Sequence, residues 1–179
     1  MDFFNKESPL KTFITFAYLI EFSHVCYMKF IADNMLGKLA KYLRMAGYDT
    51  IYPPRRNSDN QLELDSPDRI LLTRNSRYIR QHNPPQYLLI KPNHFREQLA
   101  FVIKELDLEI NPERFFYRCL KCNEPVISVS KKEVQDIVPE KSWKSYNTFF
   151  RCAVCGKIYW QGSHTRRMLS TLKNILSER

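Results

Sequence analysis

Residues 29–52, KFIADNMLGKLAKYLRMAGYDTIY, decide the fold. After its first lysine, 29–32 is apolar and reads as a short buried strand ending at Asp33. Asn34 is placed to cap a helix. Leu36, Leu39, Ala40 and Leu43 then recur at i, i+3, i+4 and i+7, which makes one apolar stripe. Lys38, Lys41 and Arg44 lie mainly off that stripe. Gly47 ends the helix. Residues 48–52 form a second strand, stopped by Pro53 and Pro54. Strand, helix and strand in this span imply a parallel crossover.

Working outward, 57–64 is a short helical candidate with Ser58 or Asp59 at its start and Pro67 shortly beyond it. RILLT at 69–73 reads as a buried strand and runs into Arg74 and Asn75. A helical turn over 76–80, a fourth strand over 87–90 and a helix over 95–106 follow. The last carries Leu99, Val102, Ile103 and Leu106 on one side. Repeated strand–helix alternation predicts a small three-layer α/β domain, 28–114, whose final residues 107–114 link it onward.

The second unit, 115–179, is announced by cysteines. Cys119 and Cys122 stand in CLKC, Cys152 and Cys155 in CAVC, with 29 residues between the pairs. Two residues between thiols let both sulfurs turn onto one ion, and four thiolates give the soft tetrahedral set that suits Zn²⁺. Asn123 and Gly156 follow the pairs where a knuckle needs left-handed backbone. The competing reading is two disulfides. The fifth, unpaired cysteine, Cys26, favours reduced thiols and hence a cytoplasmic protein. With all four positions filled, the metal is structural. Strands are expected over 125–130 and within 149–160, partial helix over 131–147, and a basic C-terminal helix over 165–179 with Met168, Leu172 and Ile175 or Leu176 on its apolar side.

Charge is unevenly distributed. Residues 1–28 hold two basic and three acidic residues, 29–114 fourteen and eleven, and 115–179 twelve and five. The excess on the cysteine module attracts polyanions, RNA foremost, because Tyr146, Phe149, Phe150, Tyr159 and Trp160 are interleaved with the charges and bases stack on such rings. Some of those rings must also form the module's own core. The apolar run 12–20 is too short to span a bilayer, so no membrane association is expected. Residues 1–27 read as an N-terminal extension, with Met28 an alternative start.

In an open parallel sheet, ligands collect at the carboxyl ends of the strands. Asp33 ends the first strand, Asp59 follows the second, and Asn75 lies just past the third. Oxygen ligands gathered there suit Mg²⁺ or Mn²⁺, which activate water and neutralise a phosphodiester. The structural alternatives are a helix-start acid for Asp33 and an N-cap for Asp59. Arg44 and Arg74, with Lys38 beside them, are candidates to hold phosphates at this mouth, whereas Arg77 reads as a solvated charge.

These motifs in series resemble one family. IADNMLGKLAKYLRMAGYDT (31–50), RILLTRN (69–75), RCLKCN (118–123), FRCAVCGKIYW (150–160) and GSH (162–164) are similar to the Mut-seven C-terminal ribonuclease domain family over about residues 28–170. The resemblance implies a PIN-like nuclease fold followed by a four-cysteine zinc ribbon, an RNA substrate, and acidic metal-binding positions at Asp33 and Asp59. It also places His164 at a family position, where it contacts RNA or moves a proton, or else packs and caps. Asp49 matches the family too and sits at a strand start, a structural position. The family usually reads TRD where this chain has TRN, so Asn75 brings an amide in place of a carboxylate. The 59–69 stretch is shorter than in the family, which makes Glu63 and Asp65 substitutes for Asp59. Two functions follow: a metal-dependent ribonuclease weakened by Asn75, or a non-catalytic binder of RNA such as tRNA, rRNA or the ribosome. A ribbon that docks a protein partner is a third.

Overall fold

The computed structural model describes residues 28–52 and 66–177. The extension 1–27, the helical candidate over 57–64, Asp59, Glu63 and Asp65 lie outside the described residues. Among those described, no helix is long and apolar enough to cross a membrane.

Four parallel strands form the first sheet: β1 (Phe30–Ala32), β2 (Thr50–Ile51), β3 (Ile70–Thr73) and β4 (Tyr87–Leu89), in the order β2-β1-β3-β4. Helices α1 (Gly37–Met45), α2 (Ser76–His82) and α3 (Phe95–Glu105) follow β1, β3 and β4. The strand–helix–strand reading of 29–52 therefore holds. Its cap does not: α1 starts at Gly37 behind Leu36, with no side-chain cap. The preceding turn is closed instead by Asp33, whose Oδ1 accepts the Met35 N–H at 2.9 Å. The helix ends as expected. Gly47 N–H returns to Arg44 O and Tyr48 N–H to Leu43 O, both at 3.0 Å, which is a Schellman closure.

The core is built on one sheet face. Phe30, Ala32 and Leu72 point into a cluster with Leu39, Leu43 and Met45 of α1 and Leu99, Val102 and Ile103 of α3. Burying side chains of this size stabilises the fold by about 1.5–3 kcal/mol each. Ile31 and Leu71, on the opposite face, are buried as well. α2 buries no residue and contributes little to the core.

The ribbon carries an antiparallel sheet, β5 (Val126–Val129), β6 (Phe149–Cys152) and β7 (Ile158–Tyr159), with α4 (Glu140–Ser145) in the β5–β6 connection. Its own core is small: Val134, Val138, Phe149 and Ile158, with Trp143, Tyr146 and Trp160 packed against it. The last helix, α5 (Ser163–Ser177), follows the ribbon in sequence but packs elsewhere. Its buried residues Met168, Leu172 and Ile175 join the α/β cluster, and it lies against α3. The ribbon is thus bracketed on both sides by elements of one core.

Candidate metal centre and nucleic-acid interface

The four cysteine sulfurs lie within 4.8 Å of one another. Tetrahedral Zn–S bonds of about 2.3 Å place sulfurs about 3.8 Å apart, and Cys119 Sγ is 3.7 Å from Cys155 Sγ. The donor set therefore fits a thiolate-held tetrahedral ion. Among the described residues this is the one group of three or more His, Cys, Asp or Glu side chains able to hold a metal. Around it, the Cys122 N–H points at Cys119 Sγ at 3.3 Å. The Tyr159 hydroxyl lies 3.0 Å from Cys119 Sγ and accepts the Leu120 N–H at 3.1 Å. Burial opposes ionisation of Cys119, but Tyr159 and the N–H groups of Cys122 and Lys121 outweigh it and bring the thiol down to about 7. Through its hydroxyl Tyr159 thus supports the position of Cys119.

The first knuckle is fastened to the parallel sheet. Arg44 is 4 % exposed. Its Nε donates to Thr50 O at 2.8 Å, and its Nη1 to Leu120 O at 3.1 Å and Lys121 O at 2.9 Å. Burial lowers its pKa, opposed by the charges of Cys119 and Cys122. It remains a cation, since arginine does not deprotonate in proteins. A side chain that reads from spacing as a surface cation is in fact a pin between the units, with its Nε and Nη1 donors on carbonyls.

Asn123 completes the fastening. Its Oδ1 accepts the Thr50 N–H at 2.9 Å and its Nδ2 donates to Asp49 Oδ1 at 2.8 Å. Asp49 also receives both terminal nitrogens of Arg69, at 2.7 and 3.1 Å, and lies 3.9 Å from Arg118 Nη2. Burial alone pushes the Asp49 carboxyl up. The hydrogen bonds from Arg69 and Asn123, with the charges of Arg69 and Arg118, reverse that and hold it below the usual carboxylate range.

At the carboxyl edge of the parallel sheet, the β1–β3 register pairs Ala32 with Leu72 and so sets Asp33 beside Thr73. Asp33 Oδ2 accepts the Thr73 hydroxyl at 2.6 Å and the Arg74 N–H at 2.8 Å. Thr73 Oγ1 in turn accepts the Asn75 N–H at 3.0 Å. Asn75 is brought to the same edge, but its Oδ1 accepts the Tyr78 N–H at 3.0 Å as the N-cap of α2. The Arg74 guanidinium turns to Asn93 Oδ1, and its Nε is buried with no hydrogen-bond partner among the described residues. Lys38 is exposed, with Nζ 4.3 Å from the centre of the Phe95 ring.

His164 is exposed at the start of α5. Thr73 does not stand out in the sequence, and Tyr159 reads there as a ring for bases rather than as a partner of Cys119. Thr73 carried a usable signal, as the hydroxyl residue one strand-step from Asp33. Of the interleaved aromatics, Phe149 is fully buried and belongs to the ribbon core, while Tyr146 and Trp160 keep part of their surface.

Comparison with protein families finds a match to the Mut7-C RNAse domain over residues 28–172. No curated protein matches the chain, and no solved structure does.

Proposed function

The chain belongs to the Mut7-C RNAse domain family, and from that premise we propose that it binds RNA and hydrolyses its phosphodiester backbone at the carboxyl edge of the parallel sheet, with Mg²⁺ or Mn²⁺ held by Asp33. The observation that carries this reading is Asp33 itself, a carboxylate fixed by three hydrogen bonds at the strand ends where α/β folds place their ligands. A carboxylate has about four lone-pair sites, so three donors leave room for one further contact. Mg²⁺ suits so spare a set, because it keeps waters and completes its sphere with substrate phosphates. When bound, such a cation lowers the pKa of its water and neutralises charge on the phosphodiester. Thr73 and the Arg74 N–H hold the carboxylate in one orientation. Arg74 and Lys38 supply positive charge to the incoming backbone, and Asp59 is the second acidic ligand. The four cysteines hold a structural Zn²⁺.

The test is cleavage of single-stranded RNA with Mn²⁺ or Mg²⁺ by the zinc-loaded protein. Asp33→Asn is expected to slow it by at least about 100-fold, the scale of losing one positioned catalytic group. Cleavage that persists unchanged in that variant overturns the reading.

A second reading, RNA binding without hydrolysis, is favoured by Asn75. Its amide brings no charge to the edge and its oxygen is occupied by the Tyr78 N–H. Asn75→Asp separates the two, since Asp caps a helix as well as Asn does. Cleavage that appears only in that variant establishes a disarmed enzyme.

A further inference from the structure

A cleft of about 1130 Å³ opens between α1, the first knuckle and the turn from β7 into α5. Among the described residues its sign is uniform. Lys41, Lys121, Lys141, Lys157 and Arg166 line it with exposed side chains, and no described aspartate or glutamate does. Arg44 also reaches the lining, with its Nε and Nη1 donors spent on carbonyls. The first turn of α5 faces the same space through Ser163, His164 and Thr165, so the helix dipole adds to that sign.

Half-buried rings stand among these charges, and Tyr52, Tyr146 and Trp160 are three of them. Each is held. The Tyr52 hydroxyl donates to Asn34 O at 3.1 Å. Arg166 Nη2 lies 3.4 Å from the Tyr146 hydroxyl. Trp160 lies flush on Gly162, where an added Cβ would come within 2.9 Å of the indole nitrogen. Tyr52 also ties the cleft to the sheet edge, since its acceptor Asn34 is the neighbour of Asp33.

The cleft exceeds the roughly 300–1,000 Å³ of a site for a small ligand. Fixed rings between solvated cations match the combination that holds single strands: phosphates track the charges while unpaired bases stack on the rings. The bases of an A-form duplex are already stacked on one another and out of reach.

We propose that this cleft is the groove for single-stranded RNA, with phosphates on Lys41, Lys121, Lys141, Lys157 and Arg166 and bases against Tyr52, Tyr146 and Trp160. Delivery of the strand to Asp33 rests on the hydrolytic reading above. Binding in the cleft does not.

The experiment measures fluorescence anisotropy of a short labelled oligouridylate on the zinc-loaded full chain, without Mg²⁺ or Mn²⁺, across a salt series. Removing one cation that neutralises a phosphate lowers the slope of log affinity against log salt by about 0.7. The double variant Lys141→Gln with Lys157→Gln is therefore expected to lower it by about 1.4 and to bind more weakly. Tyr146→Leu is expected to weaken binding with the slope unchanged. Lys104→Gln, exposed on α3 and outside the cleft, is expected to match the wild type. An unchanged slope in the double variant overturns the proposal, as does equal affinity for duplex RNA. Displacement by polyglutamate as effective as that by unlabelled RNA also overturns it, in favour of an acidic protein partner. If the cleft variants lose binding while the wild type never cleaves, the groove stands and the hydrolytic reading falls. If they cleave with wild-type KM, the groove falls and hydrolysis stands.

Discussion

After its second cysteine the first knuckle has Asn123, at φ +74°, and the second has Gly156, at φ +68°. Each residue's N–H returns to the carbonyl of its own first cysteine at 2.9 Å. Cys119 N–H then pairs with Glu124 O, and Cys152 N–H with Lys157 O. The backbone template is the same; the surroundings are not. The Asn123 side chain bonds Thr50 and Asp49, and Arg44 grips the carbonyls of Leu120 and Lys121. Gly156 has nothing within 4 Å of the place a Cβ would occupy, and neighbouring Val154 is exposed. One knuckle therefore serves two structures, the cysteine cluster and the sheet, whereas among the described residues the other serves the cluster. Left-handed backbone tolerates Gly best and Asn next. The chain uses Asn where the side chain has work across the interface and Gly where it has none.

Stripping the proposed zinc tests this contrast most severely, because structural zinc contributes on the order of 10–16 kcal/mol to a small thiolate module. Chelation is expected to unfold the ribbon in two stages. Amide exchange protection around 152–156 disappears first, and protection around 119–123 persists while Arg44 and Asn123 hold it. Simultaneous loss at both knuckles breaks the comparison. Next in size is Asp49→Ala, which leaves Arg69 and Asn123 facing an empty place in a part-buried network. A cost of about 3 kcal/mol is expected in denaturant unfolding.

The same carboxylate sets a pH dependence. Its folded pKa is depressed, so its contribution is present above the ordinary carboxylate range, about 4, and is lost as pH falls through the folded value. Unfolding free energy is expected to fall in acid more steeply for the wild type than for Asp49→Asn. Identical slopes refute the assignment. Tyr159→Phe removes a donor from Cys119 and is expected to weaken metal affinity by about 10–100-fold, read by competition with a chromophoric chelator. The smallest effects come from the knuckle residues themselves. Asn123→Gly keeps the backbone and loses two side-chain bonds, at about 2 kcal/mol. Gly156→Asn is expected to stay within about 0.5 kcal/mol. Equal costs at the two positions dissolve the distinction.

What was readable in the chain follows from how local each signal is. The apolar stripe of α1, the buried strand at RILLT and the CxxC pairs are patterns within a few residues, and each appears as read. The parallel pairing that sets Asp33 beside Thr73 follows from the strand–helix alternation. Arg44 is different. Its carbonyl partners on the first knuckle lie 76 and 77 residues away, so no local pattern separates it from the solvated Lys41 on the same helix. The docking role of α5 was hidden for the same reason. Its apolar stripe was visible, but a stripe does not name the surface it covers. Asn75 reads equally as ligand or cap in sequence, and its oxygen is used here as a cap.

The return of α5 to the α/β core has a consequence for how the chain comes apart. A ribbon bracketed by two segments of one core behaves, once its metal is gone, as a long loop tethered at both ends, and tethering such a loop costs little more as it lengthens. A protease acting in chelator is then expected to cut within it and still leave a noncovalent pair. The severed C-terminal helix would stay clamped against α3 through Met168, Leu172 and Ile175. The pieces would co-elute in native buffer and part only in denaturant.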